Sequence, residues 1–133
     1  MGAVGYQLLL IAAGGALGAL MRHAVAAAAQ AAWGEALPYG TLAANLAGCF
    51  LIGLLWTVSE EASFAAGTRA LVFTGVLGAF TTFSTYGLEA VTLLREGKVA
   101  LALTYLLVSN GLGLGMVYLG LTAARRALGS PAT

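Results

Sequence analysis

Long stretches of this chain contain no charged side chain, and these stretches restrict the folds that it can adopt. Residues 36–59 and 99–124 contain no Asp, Glu, Lys or Arg, and residues 1–34 and 70–94 contain one each. A helix needs about 20 apolar residues to cross the hydrocarbon core of a membrane. Each of the four stretches is long enough to do so.

The pattern predicts an all-α integral membrane protein. Backbone groups find no partners in lipid, so only helices and closed β-barrels span a membrane. These continuous apolar runs lack the alternation that is typical of barrel strands. We expect a single four-helix domain over residues 1–133, with spans at about 5–30, 40–59, 70–93 and 99–122.

The composition excludes several functional classes. Charged residues make up 8% of the chain and the net charge is +1, whereas soluble domains carry about 25% charged residues. A disordered chain and a nucleic-acid binder with a basic face are therefore excluded. The sequence also lacks a phosphate-binding loop, a serine–histidine–acid set and a cluster of metal ligands, so it does not indicate an enzyme.

The positive charges are divided equally between the two ends of the spans. If the N-terminus and the 60–69 loop face the same side, each side carries three Lys or Arg residues. These are Arg69, Arg125 and Arg126 on one side and Arg22, Arg95 and Lys98 on the other. The positive-inside rule then gives no preferred orientation. We interpret the balance as dual topology, in which the chain pairs antiparallel with an inverted copy of itself. The alternative is a fixed orientation set by one dominant loop.

Two pairs of glycines predict close contacts between helices. Gly14 and Gly18 lie in the first span, and Gly111 and Gly115 lie in the fourth. Both pairs have the GxxxG spacing, which lets helix backbones approach closely in lipid. We therefore expect both pairs to form packing contacts.

Polar side chains within the spans are few, and each is unfavourable in lipid unless it meets a partner or a water path. The most informative are Thr41 and Asn45 in the second span, residues 81–86 and Glu89 in the third, and Tyr105, Ser109 and Asn110 in the fourth. No lysine or arginine is among them, and there is no ring of acidic residues to favour cations. Their hydroxyl and amide donors suit a small polar or anionic solute.

The third span is expected to be broken around residues 78–82. Gly75 and Gly78 precede or begin this segment, and a continuous helix would turn part of the hydroxyl run towards lipid. A break would release backbone groups that must find other partners. The alternative is that the hydroxyls bond to carbonyls one turn earlier. For the cluster as a whole we favour a site.

Three segments of the chain resemble the microbial fluoride channel family called Fluc or CrcB. They are GGALGALMR at 14–22, YGTLAANLAG at 39–48, and GAFTTFSTY at 78–86 followed by Glu89. The third segment is the most specific, and the similarity extends over nearly the whole chain. The resemblance implies an antiparallel, dual-topology homodimer in the cell membrane. Its two pores would export fluoride passively and so relieve fluoride toxicity.

The resemblance also assigns residues to the pore. Asn45 resembles the family's pore asparagine, whose amide donates to fluoride, and Phe83 and Tyr86 occupy the positions of its paired aromatic residues. Tyr86 replaces the phenylalanine usual in the family and adds a hydroxyl group. The other implied pore positions are Thr41, Ser84, Thr85, Glu89, Tyr105 and Ser109. Gly113 stands where the family often has a small hydroxyl residue, so that contact is expected to be absent or made by water.

A structural sodium ion on the dimer axis is implied as well. By motif position, its ligands are the backbone carbonyls of Gly78 and Thr81 from both chains. Such a set of oxygens suits a hard cation. Ala79 stands where the family usually has a glycine. Arg22 resembles the family's first-span arginine and is assigned to the vestibule, with snorkelling to the membrane interface as the alternative.

Two other functional classes stay open at this point. A small dual-topology exporter that couples cationic drugs to protons has a similar length, but it needs a carboxylate within the first span, where this chain has none. A membrane scaffold without transport activity would share the glycine packing. It would leave the hydroxyl run and Asn45 unexplained.

Overall fold

The structure is a computed structural model and describes residues 2–129. Within them the chain forms four helical spans, each long and apolar enough to cross a membrane. Helix α1 covers Ala3–Trp33, α2 covers Tyr39–Glu61, and the fourth span covers Val99–Leu128. The prediction of an all-α membrane protein with four spans is confirmed, and the helices are somewhat longer than predicted.

The third span consists of two segments, α3 (66–80) and α4 (Phe83–Arg95), and the fourth span is therefore α5. Two residues in extended conformation separate the segments: Thr81 has φ −90° and ψ 157°, and Thr82 has φ −148° and ψ 119°. They lie inside the segment where the sequence predicts a break. Helix α3 is itself irregular, because its turns over Ala70–Leu77 are of the wider π type.

Helix α1 packs most extensively on α3, and the first glycine pair lies at this contact. A Cβ atom placed on Gly18 would lie 2.1 Å from the carbonyl oxygen of Val76. One placed on Gly14 would lie 2.6 Å from the carbonyl oxygen of Leu71. Because no side chain fits at either position, the predicted close approach at Gly14 and Gly18 is confirmed.

The second glycine pair does not pack as predicted. Within the described residues, no atom of another helix lies within 4 Å of a Cβ placed on Gly111 or Gly115. Helix α5 instead meets α2 through Gly120 and Gly53, where an added Cβ would lie 2.2 Å from a backbone carbonyl of the facing helix. The prediction is wrong for the protomer. The GxxxG spacing identifies a helix surface without side chains, but it does not show which helix, if any, packs on that surface.

The outer surface of the protomer is strongly apolar, as expected of helices surrounded by lipid. Leu107 and Leu114 of α5, for example, are 73% and 75% exposed. A buried cluster joins α4 to α5 and consists of Tyr86, Ala90, Leu93, Ala102 and Tyr105. This cluster holds the first turns of α4 against α5 and so positions the residues that follow the break.

Gly18→Ala is predicted to destabilise the protein, because the added methyl group would overlap the Val76 carbonyl oxygen. Overpacking of this kind costs about 1–3 kcal/mol and would lower the thermal unfolding temperature in detergent. Gly15→Ala is the matched control, since nothing lies within 4 Å of its Cβ and alanine favours a helix over glycine by about 1 kcal/mol. Equal stability of the two variants would contradict the α1–α3 contact.

Candidate functional site

The side chain of Asn45 occupies the break in the third span. Its Oδ1 accepts the Thr82 N–H at 2.8 Å, and its Nδ2 donates to the Thr82 carbonyl at 3.0 Å. A single side chain on α2 thus pairs both backbone groups of an extended residue. Because Nδ2 carries two hydrogens, one of them is left for a further acceptor.

The break releases backbone carbonyls from helical hydrogen bonds, and those of Gly78 and Thr81 are among them. In a continuous helix the Thr82 amide would donate to Gly78. The Thr85 amide would likewise donate to Thr81. Here the Thr82 amide donates to Asn45, and the Thr85 amide donates to the Thr82 hydroxyl at 3.2 Å. The Gly78 and Thr81 carbonyls are therefore among the acceptors that the break makes available.

The hydroxyl groups in the run at the break mostly serve the backbone. Thr81 Oγ1 donates to the Leu77 carbonyl at 3.1 Å, so the alternative of bonding to the preceding turn is correct for this residue. Thr82 Oγ1 caps α4, donates to Thr85 Oγ1 at 3.0 Å and lies 3.4 Å from Ser84 Oγ. Ser84 and Thr85 were expected to continue the pore. Neither is among the lining residues of the two cavities described below, and these bonds hold them at the start of α4, so their pore role stays a prediction.

A cavity of about 340 Å³ lies beside the break, and none of its lining residues is charged. Its polar lining residues are Asn45, Thr81, Thr82, Tyr86, Ser109 and Asn110. Apolar side chains and aromatic rings form the remaining wall. The cavity thus offers amide and hydroxyl donors, together with the positive edges of aromatic rings, without any formal charge.

Ser109 has a buried hydroxyl on the wall of this cavity, and no hydrogen-bond partner for it is present among residues 2–129. Buried hydroxyls normally have a partner, so this one is available to donate to a bound group. Two rings lie on the same wall: Phe83 is 81% exposed, and its centroid is 5.6 Å from that of the buried Tyr86. The structure therefore brings these three predicted pore residues together with Asn45.

Glu89 joins three helices through its two carboxylate oxygens. Thr41 on α2 donates to Oε1 at 2.8 Å, and the Tyr105 hydroxyl on α5 donates to Oε2 at 2.8 Å. The Tyr105 ring also packs on Tyr86, with centroids 5.3 Å apart. Three further predicted pore residues therefore form one hydrogen-bonded group next to the uncharged cavity.

A second cavity, of about 490 Å³, begins at this group and is charged. Its polar and charged lining residues include Gln30, Glu35, Thr41, Glu89, Glu96 and Lys98. Lys98 forms an ion pair with Glu96 at 2.8 Å, and Gln30 donates to Glu35. Six of the predicted pore residues are thus divided between an uncharged and a charged cavity, and Tyr105 contacts residues of both.

Comparison of the sequence with known proteins identifies its family. The family described as CrcB-like protein, Camphor Resistance (CrcB), matches residues 9–121. The chain belongs to the CrcB family. It is 51% identical over 127 residues to a protein of Salinibacter ruber, with 94% of both chains covered.

Other CrcB relatives give the same result. A Legionella pneumophila protein is 44% identical over 125 residues, with 90% of both chains covered. A Parabacteroides distasonis protein is 41% identical over 115 residues, which cover 86% of this chain and 90% of the relative. All three relatives are named fluoride-specific ion channel FluC.

Arg22 of this CrcB protein lines neither cavity. Its Nε donates to the Ala79 carbonyl at 3.1 Å, near the C-terminal end of α3. A cation is favourable at a helix C-terminus, so Arg22 ties α1 to the end of α3. The vestibule role of Arg22 stays a prediction.

Ala79 lies in a helical turn. An alanine at this position, where the resemblance suggests a glycine, therefore needs no unusual backbone conformation.

Two residues of the site were not among the predicted pore positions. Thr82 caps α4 and presents both of its backbone groups to Asn45. Its signal in the sequence is the preference of threonine for helix N-caps. Asn110 donates to the Tyr86 hydroxyl at 2.7 Å. The sequence feature that could have identified Asn110 is its polar amide within an otherwise apolar span. The hydroxyl of Tyr86 in the third span is a possible partner for that amide.

Asn45→Ala is predicted to destabilise the fold, because both backbone groups of Thr82 lose their partner. Each buried polar group that is left unpaired costs about 1–3 kcal/mol, and the thermal unfolding temperature of the purified protein would fall accordingly. Ser84→Ala is the control, since Ser84 is exposed and its contact with Thr82 is 3.4 Å long. An unfolding temperature as high in Asn45→Ala as in the control would contradict the role given to Asn45.

Proposed function

We propose that this chain forms a channel selective for fluoride ions. The proposal is carried by the uncharged cavity at the break, where the Asn45 amide and the Ser109 hydroxyl, which has no partner within residues 2–129, meet two aromatic rings. The names of the CrcB relatives support the same activity. With four apolar spans, the chain is a multi-pass protein of the cell membrane.

The chemistry of the cavity suits a small, strongly hydrated anion. A channel must replace the water around the ion and still release it, so binding has to be favourable without being tight. The second hydrogen of Asn45 Nδ2 and the hydroxyl of Ser109 donate to the ion, and the positive ring edge of Phe83 faces it. A lysine or arginine in the same place would hold the anion too strongly for rapid passage.

The group around Glu89 controls passage from the first cavity to the second. Its carboxylate would repel an anion, but both of its oxygens accept hydrogen bonds, from Thr41 and Tyr105. Each of these hydroxyls has one hydrogen to donate. We infer that the Thr41 and Tyr105 hydroxyls redirect their hydrogen bonds from Glu89 to the ion as it passes. The ion then enters the second cavity.

We infer further that the channel is an antiparallel homodimer with two pores, one along each copy of the site. The equal positive charge at the two ends of the spans supports insertion in both orientations. The open glycine surface at Gly111 and Gly115 supports contact with a second copy, because helices approach closely at such surfaces in lipid. The channel would let fluoride leave the cell down its gradient and so relieve fluoride toxicity.

We also propose that a structural sodium ion binds between the two breaks of the dimer. The residues fit such an ion, because the Gly78 and Thr81 carbonyls have lost their helical donors and Gly78 is exposed in the protomer. Carbonyls from both chains would supply the oxygen ligands that a hard cation prefers. The bound ion would supply a fixed positive potential near the pores, which favours anions.

The placement of acidic residues does not favour the alternative of a proton-coupled drug exporter. Helix α1 contains no acidic residue. Glu89 of α4 has both carboxylate oxygens engaged by hydroxyl donors from neighbouring helices. A carboxylate that exchanges protons for a cationic drug would need to be open to that drug.

Liposomes that contain the purified protein are predicted to release fluoride and retain chloride, because the cavity provides uncharged amide and hydroxyl donors that can replace the water around a small anion. Efflux is followed with a fluoride-selective electrode, and a chloride electrode is used on matched liposomes. Retention of fluoride by liposomes that contain folded protein would refute the channel function.

The matched variant for this experiment is Asn45→Asp, whose retained oxygen still accepts the Thr82 N–H. It replaces the Nδ2 donor with a second oxygen and puts negative charge beside the anion. We expect fluoride efflux to fall at least about ten-fold, since hydrogen bonds to charged groups contribute about 1.5–3 kcal/mol. Undiminished efflux would remove Asn45 from the pore.

Exchange of sodium for a bulky organic cation is predicted to weaken the dimer and to slow fluoride efflux, because four carbonyl oxygens would then face one another without a cation. The measurements are dimer stability in detergent and efflux from liposomes prepared without sodium, with sodium added back as the control. If neither dimer stability nor the efflux rate changed when sodium was replaced, the result would count against the sodium site at Gly78 and Thr81.

A further inference from the structure

Tyr86 carries a hydroxyl group that a neighbouring amide holds in one position. Its ring is buried between two others, with centroids 5.6 Å from Phe83 and 5.3 Å from Tyr105. Asn110 on α5 donates from Nδ2 to the Tyr86 oxygen at 2.7 Å. The two ring contacts and this hydrogen bond together restrict the Tyr86 side chain.

The other hydrogen bond of Asn110 decides which partner donates. Nδ2 also lies 2.7 Å from the Leu106 carbonyl oxygen, which can only accept. The amide nitrogen must therefore face that carbonyl, and the same nitrogen gives its second hydrogen to Tyr86. The Tyr86 oxygen is the acceptor, so its own hydrogen has to point away from Asn110 to another group.

One group that this hydrogen can reach is an ion in the uncharged cavity. Tyr86 and Asn110 both line it. Ser109, the neighbour of Asn110 on α5, lines it too and has a buried hydroxyl without a partner in the described part of the chain. Two hydroxyls with hydrogens to donate thus share a cavity that has no carboxylate on its wall.

We propose that the Tyr86 hydroxyl is an additional hydrogen-bond donor to the ion in this cavity, and that Asn110 is the residue that positions it. The inference rests on the proposed channel function. A phenylalanine at this position would offer only a ring edge, so the tyrosine adds a donor to those of Asn45 and Ser109. Asn110 does not contact the ion, because both hydrogens of its Nδ2 are already donated.

Tyr86→Phe tests the donor, because it removes the hydroxyl and keeps the ring. One hydrogen bond to a charged group corresponds to a change in affinity of about ten-fold. We therefore expect the fluoride concentration that gives half-maximal efflux from liposomes to rise about ten-fold, while the maximal rate does not fall. Tyr118→Phe is the matched control: this α5 tyrosine is 71% exposed, and its loss should change neither quantity.

Asn110→Ala tests the positioning role. On its own it should raise the half-maximal concentration in the same direction as Tyr86→Phe. Combined with Tyr86→Phe it should raise that concentration no further, because the hydroxyl that it positions is already absent. If Asn110 had a purely structural role, Asn110→Ala would raise the half-maximal concentration equally in the wild-type protein and in Tyr86→Phe. It would also lower the maximal rate.

The possible outcomes separate the two proposals. Fluoride efflux from wild-type liposomes, with a half-maximal concentration unchanged by Tyr86→Phe, would overturn the donor role. Additive effects of the two substitutions would overturn the positioning role of Asn110. If wild-type liposomes released no fluoride at all, the channel function itself would fail, whatever the variants did.

Discussion

The pairing of Asn45 with both backbone groups of Thr82 is the interaction on which the rest of the site depends. Lipid offers no partner for backbone groups, so two extended residues within a span need one from the protein. Asn45 supplies both bonds from a neighbouring helix. The break can then persist, α4 begins at a capped N-terminus, and the carbonyls of Gly78 and Thr81 become free acceptors. An amide that serves the break in this way still has one hydrogen for an ion.

Glycine contacts keep the elements around the break in place. At Gly18, α1 lies so close to α3 that no side chain fits, and Arg22 ties the end of α3 to the same helix. Contact between α2 and α5 at Gly53 and Gly120 brings the helices that carry Asn45 and Ser109 together. Charged side chains are kept out of the cavity that results. The donors there are consequently uncharged, which suits an anion that must also leave.

Features set by composition or by short spacing were predictable from the sequence. The four spans follow from uncharged stretches, and the contact at Gly14 and Gly18 follows from a spacing within one helix. The error concerns how a helix is rotated towards its neighbours. Gly111 and Gly115 have the same spacing but face outward in the protomer. Such rotation depends on contacts between distant segments, which a local pattern does not contain. The same is true of the bond from Asn110 to Tyr86.

The most direct test of the account is the reversal potential of single channels in a planar bilayer. The two chambers would contain different fluoride concentrations and equal chloride concentrations. A cavity that provides uncharged donors for a small anion predicts reversal at the equilibrium potential of fluoride. Reversal near zero, where chloride is balanced, would contradict selection of fluoride by this site.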